Sequence, residues 1–343
     1  MKKTLAILLV LVMVFALVAC GGDKGGDKGG GGGGGGESSG LIKVGIVNLE
    51  PSESGYREAN VKDMAKVFTP ENGYEAKFSN VPTLDAQINA TRGFINDGVK
   101  YLLISAAEAA GWDAVLKEAQ EAGVTVFLFD RMIDVDPGLY KAAVVSDMAN
   151  QGDTAVKWLK EQKFDEYNII HIQGQVGSAA QIGRTNALQK EIDAGTMNLV
   201  SRGTGGDSWS ADEAKKIVEA AISSGLDFNI IYAENDGMAE GAMKALDENG
   251  ITYGADGDVK ILGFDCNKFA LRYVMEGKWN YDGQCSPFQA DVIDGFIKTL
   301  EGGGTPSIPA DKKVISEEKG FDHLGIGAIK VTQAVIDQYG LGD

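Results

Sequence analysis

The sequence predicts an α/β protein made of two lobes, each with a mainly parallel sheet covered by helices. From Leu41 onward, short apolar runs alternate with amphipathic segments, which is the pattern of strands and helices in parallel sheets. About ten such runs are present, more than one compact doubly wound sheet usually holds, so two sheets of about five strands accommodate them better. The chain has 343 residues, 44% of them apolar, which is enough to bury a core in each lobe.

The predicted strands and helices alternate along the chain. The strand candidates are Ile42–Asn48, Glu75–Asn80, Val99–Ser105, Val124–Asp130, Ala142–Ser146, Asn168–Gln173, Asn198–Arg202, Phe228–Ala233, Val259–Phe264 and Trp279–Gln284. The amphipathic helical segments between them include Thr83–Asn96, Trp112–Ala122, Ala211–Ser223 and Met238–Glu248. This order favours parallel pairing, because parallel neighbours require a crossover connection.

The amino terminus has the features of an export signal. Lys2 and Lys3 precede an apolar run from Thr4 to Val18, and about 15 apolar residues are short for a membrane span, which needs about 20. Residues 17–20, Leu-Val-Ala-Cys, resemble the bacterial lipobox, in which the cysteine is lipidated and the chain is cut just before it. We expect residues 1–19 to be a lipoprotein signal peptide and Cys20 to carry the lipid. An ordinary signal peptide is the alternative.

Residues 20–40 form a glycine-rich linker that begins with the cysteine. They contain two Gly-Gly-Asp-Lys repeats and eight consecutive glycines, so they lack the side chains that would offset the entropy of ordering. We expect a flexible coil that spans about 25 Å over about 20 residues. A phosphate-binding loop is not expected here, since no strand precedes these glycines and no helix begins within them.

The charge of the chain restricts its partners. It carries 49 acidic and 32 basic side chains, a formal net charge of −17. Nucleic-acid binding is not expected, because it depends on a surplus of positive charge. An anionic membrane surface would repel such a chain, so the lipid is the expected membrane anchor.

Histidine and cysteine positions bear on metals and disulfides. The histidines are His171 and His323, and neither has a partner at ligand spacing, so we expect no metal site and no cofactor. Cys266 and Cys285 leave two alternatives open. They form a disulfide, which an oxidising exterior allows, or they are two buried free thiols.

Polar residues follow several predicted strands, at the edge where ligands bind in such folds. They are Tyr56 and Arg57, Asp130 and Arg131, Arg184, Asn235 and Asp236, and Asp265. For any single one, a helix cap or a surface ion pair is the alternative. Together they provide the acceptors and donors that sugar hydroxyls require, while Tyr56 and Trp209 offer rings for the apolar faces of a sugar. The alternative for Trp209 is a packing role.

These residues lie in motifs that resemble the periplasmic binding proteins of the ribose and galactose cluster, which are solute receptors of sugar ABC transporters. The resemblance covers about Leu41 to Glu317. Its motifs are Phe129-Asp130-Arg131, Gln173-Gly174 followed by Arg184, Glu234-Asn235-Asp236-Gly237-Met238-Ala239, and Gly263-Phe264-Asp265. By position, the resemblance implies sugar contacts from Asp130, Arg131, Arg184, Asn235, Asp265 and Gln284, with Trp209 as a stacking ring.

Within this family the chain is most similar to galactofuranose-binding proteins. The shared stretches are Ser52 to Arg57, Gly111-Trp112 and Asp130 to Val135. The guanidinium of Arg57 would suit the exocyclic diol that a hexofuranose has and ribose lacks. Tyr56 stands where the galactofuranose proteins carry Trp, so Tyr56 is the expected ring at that position.

The resemblance implies a type I periplasmic binding protein with two Rossmann-like lobes and a hinge that the chain crosses three times. We expect crossings near 146–149, 284–287 and 314–317. Lobe one is then 41–147 plus 286–314, and lobe two is 148–285 plus 315–343. The expected function is that of an exported, monomeric lipoprotein on the outer face of the cytoplasmic membrane, which closes on a galactofuranose-like monosaccharide and delivers it to an ABC permease.

An enzyme, a transcriptional repressor and a sensory receptor are the competing interpretations. A glycosidase would need two carboxylates such as Asp130 and Asp265, but Arg131 should depress the pKa of Asp130 and spoil it as an acid, so we expect no catalysis. Repressors with this core begin with a helix-turn-helix, whereas this chain begins with an export signal. Signalling to a sensor kinase or chemoreceptor stays open, as does binding of ribose, galactose or glucose.

Overall fold

The structure is a computed structural model that describes residues 40–342. Thirteen strands and ten α-helices lie within these residues. None of these helices has the length and apolar character needed to span a bilayer. The predicted signal peptide, the lipidated Cys20 and the linker up to residue 39 lie outside the described residues.

The first sheet belongs to lobe one and is parallel throughout. Its strands are β1 (Ile42–Asn48), β2 (Tyr74–Asn80), β3 (Tyr101–Ile104), β4 (Thr125–Asp130), β5 (Ala142–Val145) and β11 (Lys313–Ile315). They run in the order β11-β5-β4-β3-β1-β2. Helices α1 (Gly55–Val67) and α9 (Ala290–Glu301) cover one face, and α2 (Leu84–Asn96) and α3 (Asp113–Glu121) cover the other.

The second sheet belongs to lobe two. Its strands are β6 (Asn168–Gln173), β7 (Asn198–Thr204), β8 (Ile230–Ala233), β9 (Lys260–Asp265), β10 (Tyr281–Gln284), β12 (Gly320–Asp322) and β13 (Ile329–Lys330), in the order β13-β12-β10-β9-β8-β6-β7. The pairing is parallel except between β10 and β12. Helices α4 (Met148–Gln162) and α5 (Ala179–Asp193) cover one face. The other face packs against α6 (Ala211–Ser223), α7 (Asp236–Glu248), α8 (Lys268–Met275) and α10 (Gln333–Tyr339).

The central strands of each sheet are buried on both faces, and the sequence of these strands reflects this. In β1, for example, Val44 and Ile46 pack with the helices of one face, and Val47 packs with those of the other. Strands in such a position need apolar side chains on both sides, which is why they appear in the sequence as short continuous apolar runs.

The chain passes between the two sheets three times, after β5, after β10 and after β11. Each passage follows a strand at its carboxyl end, so all three lie on the side of the sheets where the strand ends of the two lobes meet. The strand ends therefore converge on the space between the lobes.

The predicted fold is confirmed: two lobes with parallel-dominated sheets are present, and each of the ten strand candidates overlaps a strand. The C-terminal segment, which lies beyond the family resemblance and was expected in lobe two, contributes β12 and β13 to the second sheet and α10 to the helices packed on it. Cys266 and Cys285 are free and buried in the structure, so the alternative of two buried free thiols holds and the disulfide does not.

Candidate ligand-binding site

A cavity lies between the lobes, where the strands of both sheets end. The empty space among its lining side chains is about 270 Å³, counting the space at its opening to solvent. Its walls are formed by Glu53, Ser54, Tyr56, Asp130, Arg131, Met148, Ala180, Arg184, Trp209, Asn235, Asp265 and Cys285. Charged, amide and aromatic groups from both lobes thus face one space between the lobes.

Asp130 is the central acceptor on the side of lobe one. It is the last residue of β4, with a φ of 64° that side-chain-bearing residues rarely adopt. Its Oδ1 accepts from the Tyr56 hydroxyl at 2.7 Å, and its Oδ2 accepts from Ser105 Oγ at 2.7 Å. Burial would raise the pKa of Asp130, but the charges of Arg57 and Arg131 outweigh it and hold the pKa below its usual value. Asp130 is therefore a carboxylate.

Arg57 lies behind Asp130 and does not reach the cavity wall. Its side chain is fully buried, with Nη2 donating to Asp130 Oδ2 at 2.6 Å and Nε donating to Glu53 Oε2 at 2.9 Å. Nη1 donates to acceptors on Asn48 and Asn60 at 2.8 and 3.0 Å. The sequence led us to expect a direct ligand contact from Arg57; in the structure this guanidinium is used within the protein and fixes Asp130 instead.

Arg131 lines the cavity. Its Nη2 donates to Glu53 Oε1 at 3.2 Å, whereas its buried Nε makes no hydrogen bond among the described residues and lies 3.6 Å from Asp130 Oδ2. The guanidinium carbon lies 5.8 Å from the ring centroid of Trp209, which belongs to lobe two. Glu53, which the sequence did not single out as a site residue, pairs with both Arg57 and Arg131. Glu53 lies in the Ser52 to Arg57 stretch that resembles galactofuranose-binding proteins, so the sequence did contain a signal for this residue.

Arg184 has the corresponding position in lobe two. It projects from α5, and its Nε donates to Gln151 Oε1 at 2.9 Å while Nη1 donates to the main-chain oxygen of Glu234. Nη2 donates to Asp265 Oδ1 at 3.2 Å, and the guanidinium carbon lies 4.7 Å from the Phe264 ring centroid. Arg184 is thus held from several sides with one edge toward the cavity.

Asp265 ends β9 as Asp130 ends β4, and its backbone is also unusual. Its φ is 115°, and the following residue, Cys266, has a φ of 64°. Backbone strain of this kind concentrates at binding sites. Burial raises the pKa of Asp265 to about 6, against the opposing charge of Arg184. Beside it, Asn235 caps α7 by accepting from the N–H of Met238 at 2.8 Å, which leaves its amide nitrogen available.

Trp209 closes the cavity on the side of lobe two. It has a φ of 50°, and its buried Nε1 has no hydrogen-bond partner among residues 40–342. The ring lies flush against Gly174, where an added Cβ would lie 1.9 Å from the Trp209 ring. Gly174 therefore provides the space that the ring occupies.

Gln284 is not part of the cavity wall. It ends β10 and pairs with Asp265 in the sheet, but its side chain is half-buried and its Oε1 has no partner in the part of the chain that the structure describes. Its neighbour Cys285 faces the cavity instead. Met148 and Ala180 also line it and had no sequence signal, because apolar residues at helix starts look like core residues.

The lobes touch each other around the cavity. The N–H of Ala109 in lobe one donates to the main-chain oxygen of Gly177 in lobe two at 3.0 Å. Gly55 of α1 lies so close to Asn267 that an added Cβ would be 1.9 Å from Asn267 Oδ1. These contacts describe a closed arrangement of the lobes.

The periplasmic binding protein domain family matches residues 44–291, well over half of the chain. The chain belongs to the periplasmic binding proteins. The resemblance seen in the sequence motifs is thereby confirmed at the level of the family.

Two curated relatives of this periplasmic binding protein are sugar receptors. The fructose import binding protein of Bifidobacterium longum is 30% identical over 329 residues, covering 94% of this chain and 94% of that protein. The galactofuranose-binding protein of Escherichia coli is 31% identical over 262 residues, covering 74% of this chain and 81% of that protein. Both are named as binding proteins for a sugar.

A solved structure supports the same relationship. The protein from Mycobacterium smegmatis in complex with β-D-fucofuranose superimposes with a TM-score of 0.76 at 27% identity, covering 87% of this chain and 94% of that chain.

Proposed function

We propose that this protein is the substrate-binding lipoprotein of a sugar ABC transporter and that it binds a monosaccharide, with a galactofuranose-like hexose as the favoured ligand, between its two lobes. The observation that carries the proposal is the convergence of Asp130, Arg131, Arg184 and Asp265 with the Trp209 ring on one cavity between the lobes. Sugars require this mixture, because each hydroxyl both donates and accepts while the C–H faces pack on rings.

The unused hydrogen-bonding capacity of the cavity supports a neutral polar ligand. Trp209 Nε1 is a buried donor without a hydrogen-bond partner in the described chain, and Arg131 Nε makes no hydrogen bond there but lies 3.6 Å from Asp130 Oδ2. A buried donor such as Trp209 Nε1 is costly unless a ligand satisfies it. The carboxylates of Asp130 and Asp265 have accepting capacity for hydroxyls. Because these groups come from both lobes, a sugar completes its hydrogen bonds only when the lobes close. We propose the three chain passages as the hinge, with lobe boundaries at 147/148 and 285/286 and, because Ile315 still pairs with Val145 in the sheet of lobe one, after residue 315 rather than at the expected 314/315.

The preference for a furanose rests on the relatives. The galactofuranose-binding protein of Escherichia coli and the fucofuranose complex from Mycobacterium smegmatis both point to five-membered rings. The structure gives no support to the sequence-based reason for this preference, a direct contact between Arg57 and the sugar, because the Arg57 guanidinium donates to Asp130 instead. The Tyr56 hydroxyl also donates to Asp130. Fructose joins the candidate ligands because of the Bifidobacterium longum protein.

The N-terminal sequence supports a proposal for the cellular location of the protein. We propose that Cys20 carries a lipid, that residues 21–40 act as a flexible tether, and that the protein is anchored to the outer face of the cytoplasmic membrane as a monomer. An ABC permease is the proposed partner, recognising the closed lobes.

Calorimetric titration with D-galactose, D-fructose, D-ribose, L-arabinose and D-glucose tests the proposal. Galactose and fructose solutions contain furanose forms, so both are suitable probes. We expect one sugar to bind with a dissociation constant of about 1 μM or lower. Absence of binding across the whole panel would refute a sugar receptor.

Sugar affinity is expected to fall as the pH drops through about 6, the pKa to which burial raises Asp265. Below that pH the protonated Asp265 loses its ion pair with Arg184 and one acceptor for the sugar, while Asp130 stays charged. Titrations of the wild type and of Asp265→Asn between about pH 8 and pH 5 measure this. The wild-type affinity should decrease and the weaker affinity of the variant should stay flat. An affinity of the wild type that is independent of pH would contradict this role of Asp265.

A further inference from the structure

A second pair of carboxyl groups, Asp236 and Asp282, is buried beside the cavity without lining it. Asp236 is the first residue of α7, Asp282 lies in the middle of β10, and both side chains are fully buried. Asp236 Oδ2 accepts from the main-chain N–H of Asn267 at 2.8 Å and from Asn267 Nδ2 at 2.9 Å. The proposed ligand contacts make no use of this pair.

The pair lacks donors for its remaining oxygens. Within residues 40–342, Asp236 Oδ1 and both oxygens of Asp282 have no hydrogen-bond donor. Two adjacent buried carboxylates without a cation would be very costly, and such sites retain a proton instead. Asp282 pairs with Gly263 across β10 and β9, and Asp236 Oδ1 lies against Gly263, where an added Cβ would be 2.6 Å from it. The two carboxyl groups are therefore neighbours, and one proton between them supplies the missing donor.

The surroundings of the two carboxyl groups favour one shared proton. Asp236 accepts two N–H groups and lies in the first turn of α7, and both features favour its charged form. Burial and then the charge of Asp282 act against them and raise the pKa of Asp236 well above its usual value. The proton therefore belongs to the pair rather than to one residue.

This pair holds the turn that carries Asp265. Asp265 and Cys266 have φ values of 115° and 64°, which cost energy in residues other than glycine. Asn267, the next residue, is fixed by Asp236 on one side, and on the other its Oδ1 lies against Gly55 of lobe one. The direction of the Asp265 carboxylate and the contact between the lobes thus depend on the same anchored residue.

We propose that Asp282 and Asp236 share one proton and that the protonated pair positions Asp265 for the ligand, so that loss of this proton weakens sugar binding at alkaline pH. The inference rests on the proposed function in one respect, the contact between Asp265 and the sugar.

Several groups that face the pair affect its ionisation. Burial, followed by the negative charge of Asp265 on β9, raises the pKa of Asp282 well above its usual value. The hydrogen bond with Asp236 and the charge of Arg184 on α5 act in the opposite direction. Tyr281 on β10 is neutral, because its own pKa is raised by burial and by Asp282. The balance keeps the proton in place at neutral pH.

The experiment uses the purified protein with D-galactose or D-fructose, whichever binds more tightly, and measures the dissociation constant from about pH 6.5 to pH 9, the range in which buried carboxyls are known to ionise. We expect the wild type to lose at least tenfold in affinity toward pH 9. Asp282→Asn keeps an N–H donor toward Asp236 but cannot titrate, so it should bind within threefold of the wild type at pH 7 and lose the alkaline decline. Asp282→Ala should bind at least tenfold more weakly at every pH.

Asp322→Asn is the matched control, because Asp322 is also a buried aspartate of the same sheet and accepts from Trp158 Nε1 at 3.0 Å. It should show the wild-type pH profile. A purely structural role of Asp282 would give an Asp282→Asn variant with the wild-type alkaline decline, and that result would overturn the proposal.

An infrared measurement separates this proposal from the proposed function. The difference spectrum between wild type and Asp282→Asn without sugar should contain the C=O band of a protonated carboxylic acid at pH 7, and absence of that band would refute the shared proton. If Asp282→Asn does not fold, the same band followed in the wild type, and its loss between pH 7 and pH 9, provides the test. A wild type that shows the band but binds no sugar would overturn the positioning role together with the proposed function.

Discussion

Replacing Asp130 by alanine is expected to abolish measurable sugar binding and to lower the free energy of unfolding by about 3–5 kcal/mol. The reason is the network that Asp130 holds together. Its carboxylate accepts from Arg57 Nη2, Tyr56 Oη and Ser105 Oγ at 2.6 to 2.7 Å, and all three donors are buried. Without the Asp130 carboxylate, Glu53 is the one acidic side chain among the described residues that still pairs with the Arg57 charge. Urea unfolding and calorimetric titration measure the two effects.

A surface aspartate of the same lobe is the control for this variant. Asp97 pairs with Lys77 at 2.7 Å, but both side chains are about half exposed. Exposed ion pairs contribute little, so Asp97→Ala should leave unfolding and sugar binding almost unchanged. An Asp130→Ala protein as stable as Asp97→Ala, with sugar affinity intact, would contradict the assignment of Asp130 as the centre of the site.

Replacing Gly174 by alanine should weaken sugar binding by tenfold or more and destabilise the protein by about 1–3 kcal/mol. The added Cβ would lie between 1.9 and 2.3 Å from three atoms of the Trp209 ring, so the ring must move. Trp209 forms the wall opposite Arg131, and its displacement changes the shape of the cavity. Calorimetry and urea unfolding again provide the measurement.

Gly93→Ala is the matched control for that change. An added Cβ at Gly93 in α2 meets no atom within 4 Å, so alanine should stabilise the helix by about 0.5–1 kcal/mol and leave sugar binding unaffected. If Gly174→Ala bound sugar as well as Gly93→Ala does, the role of the Trp209 ring would be wrong.

Much of the fold could be predicted from the sequence because parallel strands buried on both faces appear as apolar runs. The helices that line the cavity were harder to recognise. α1 and α5 bury polar residues such as Arg57, Asn60, Gln181 and Arg184, so their buried face is not apolar and the helical periodicity is weak. The strands β12 and β13 have three and two residues, too few for any period to appear.

The candidate site, like the fold, could be predicted from the sequence only in part. The rule that ligands bind at the carboxyl ends of parallel strands located Asp130 and Asp265. The sequence could not show that Arg57 contacts Asp130 rather than the cavity, because that depends on a hydrogen-bond network with Glu53, Asn48 and other residues. Nor could it show that Cys285, one residue beyond Gln284, faces the cavity.

The central claim is that a sugar binds between the lobes to the groups at the strand ends. A crystal structure of the protein with the sugar that calorimetry selects tests it most directly. We predict a monosaccharide within hydrogen-bonding distance of Asp130, Arg184 and Asp265, with the Trp209 ring against one of its faces. A sugar bound elsewhere, for example in the larger groove lined by Met132, Asp134 and Asn186, would contradict the account.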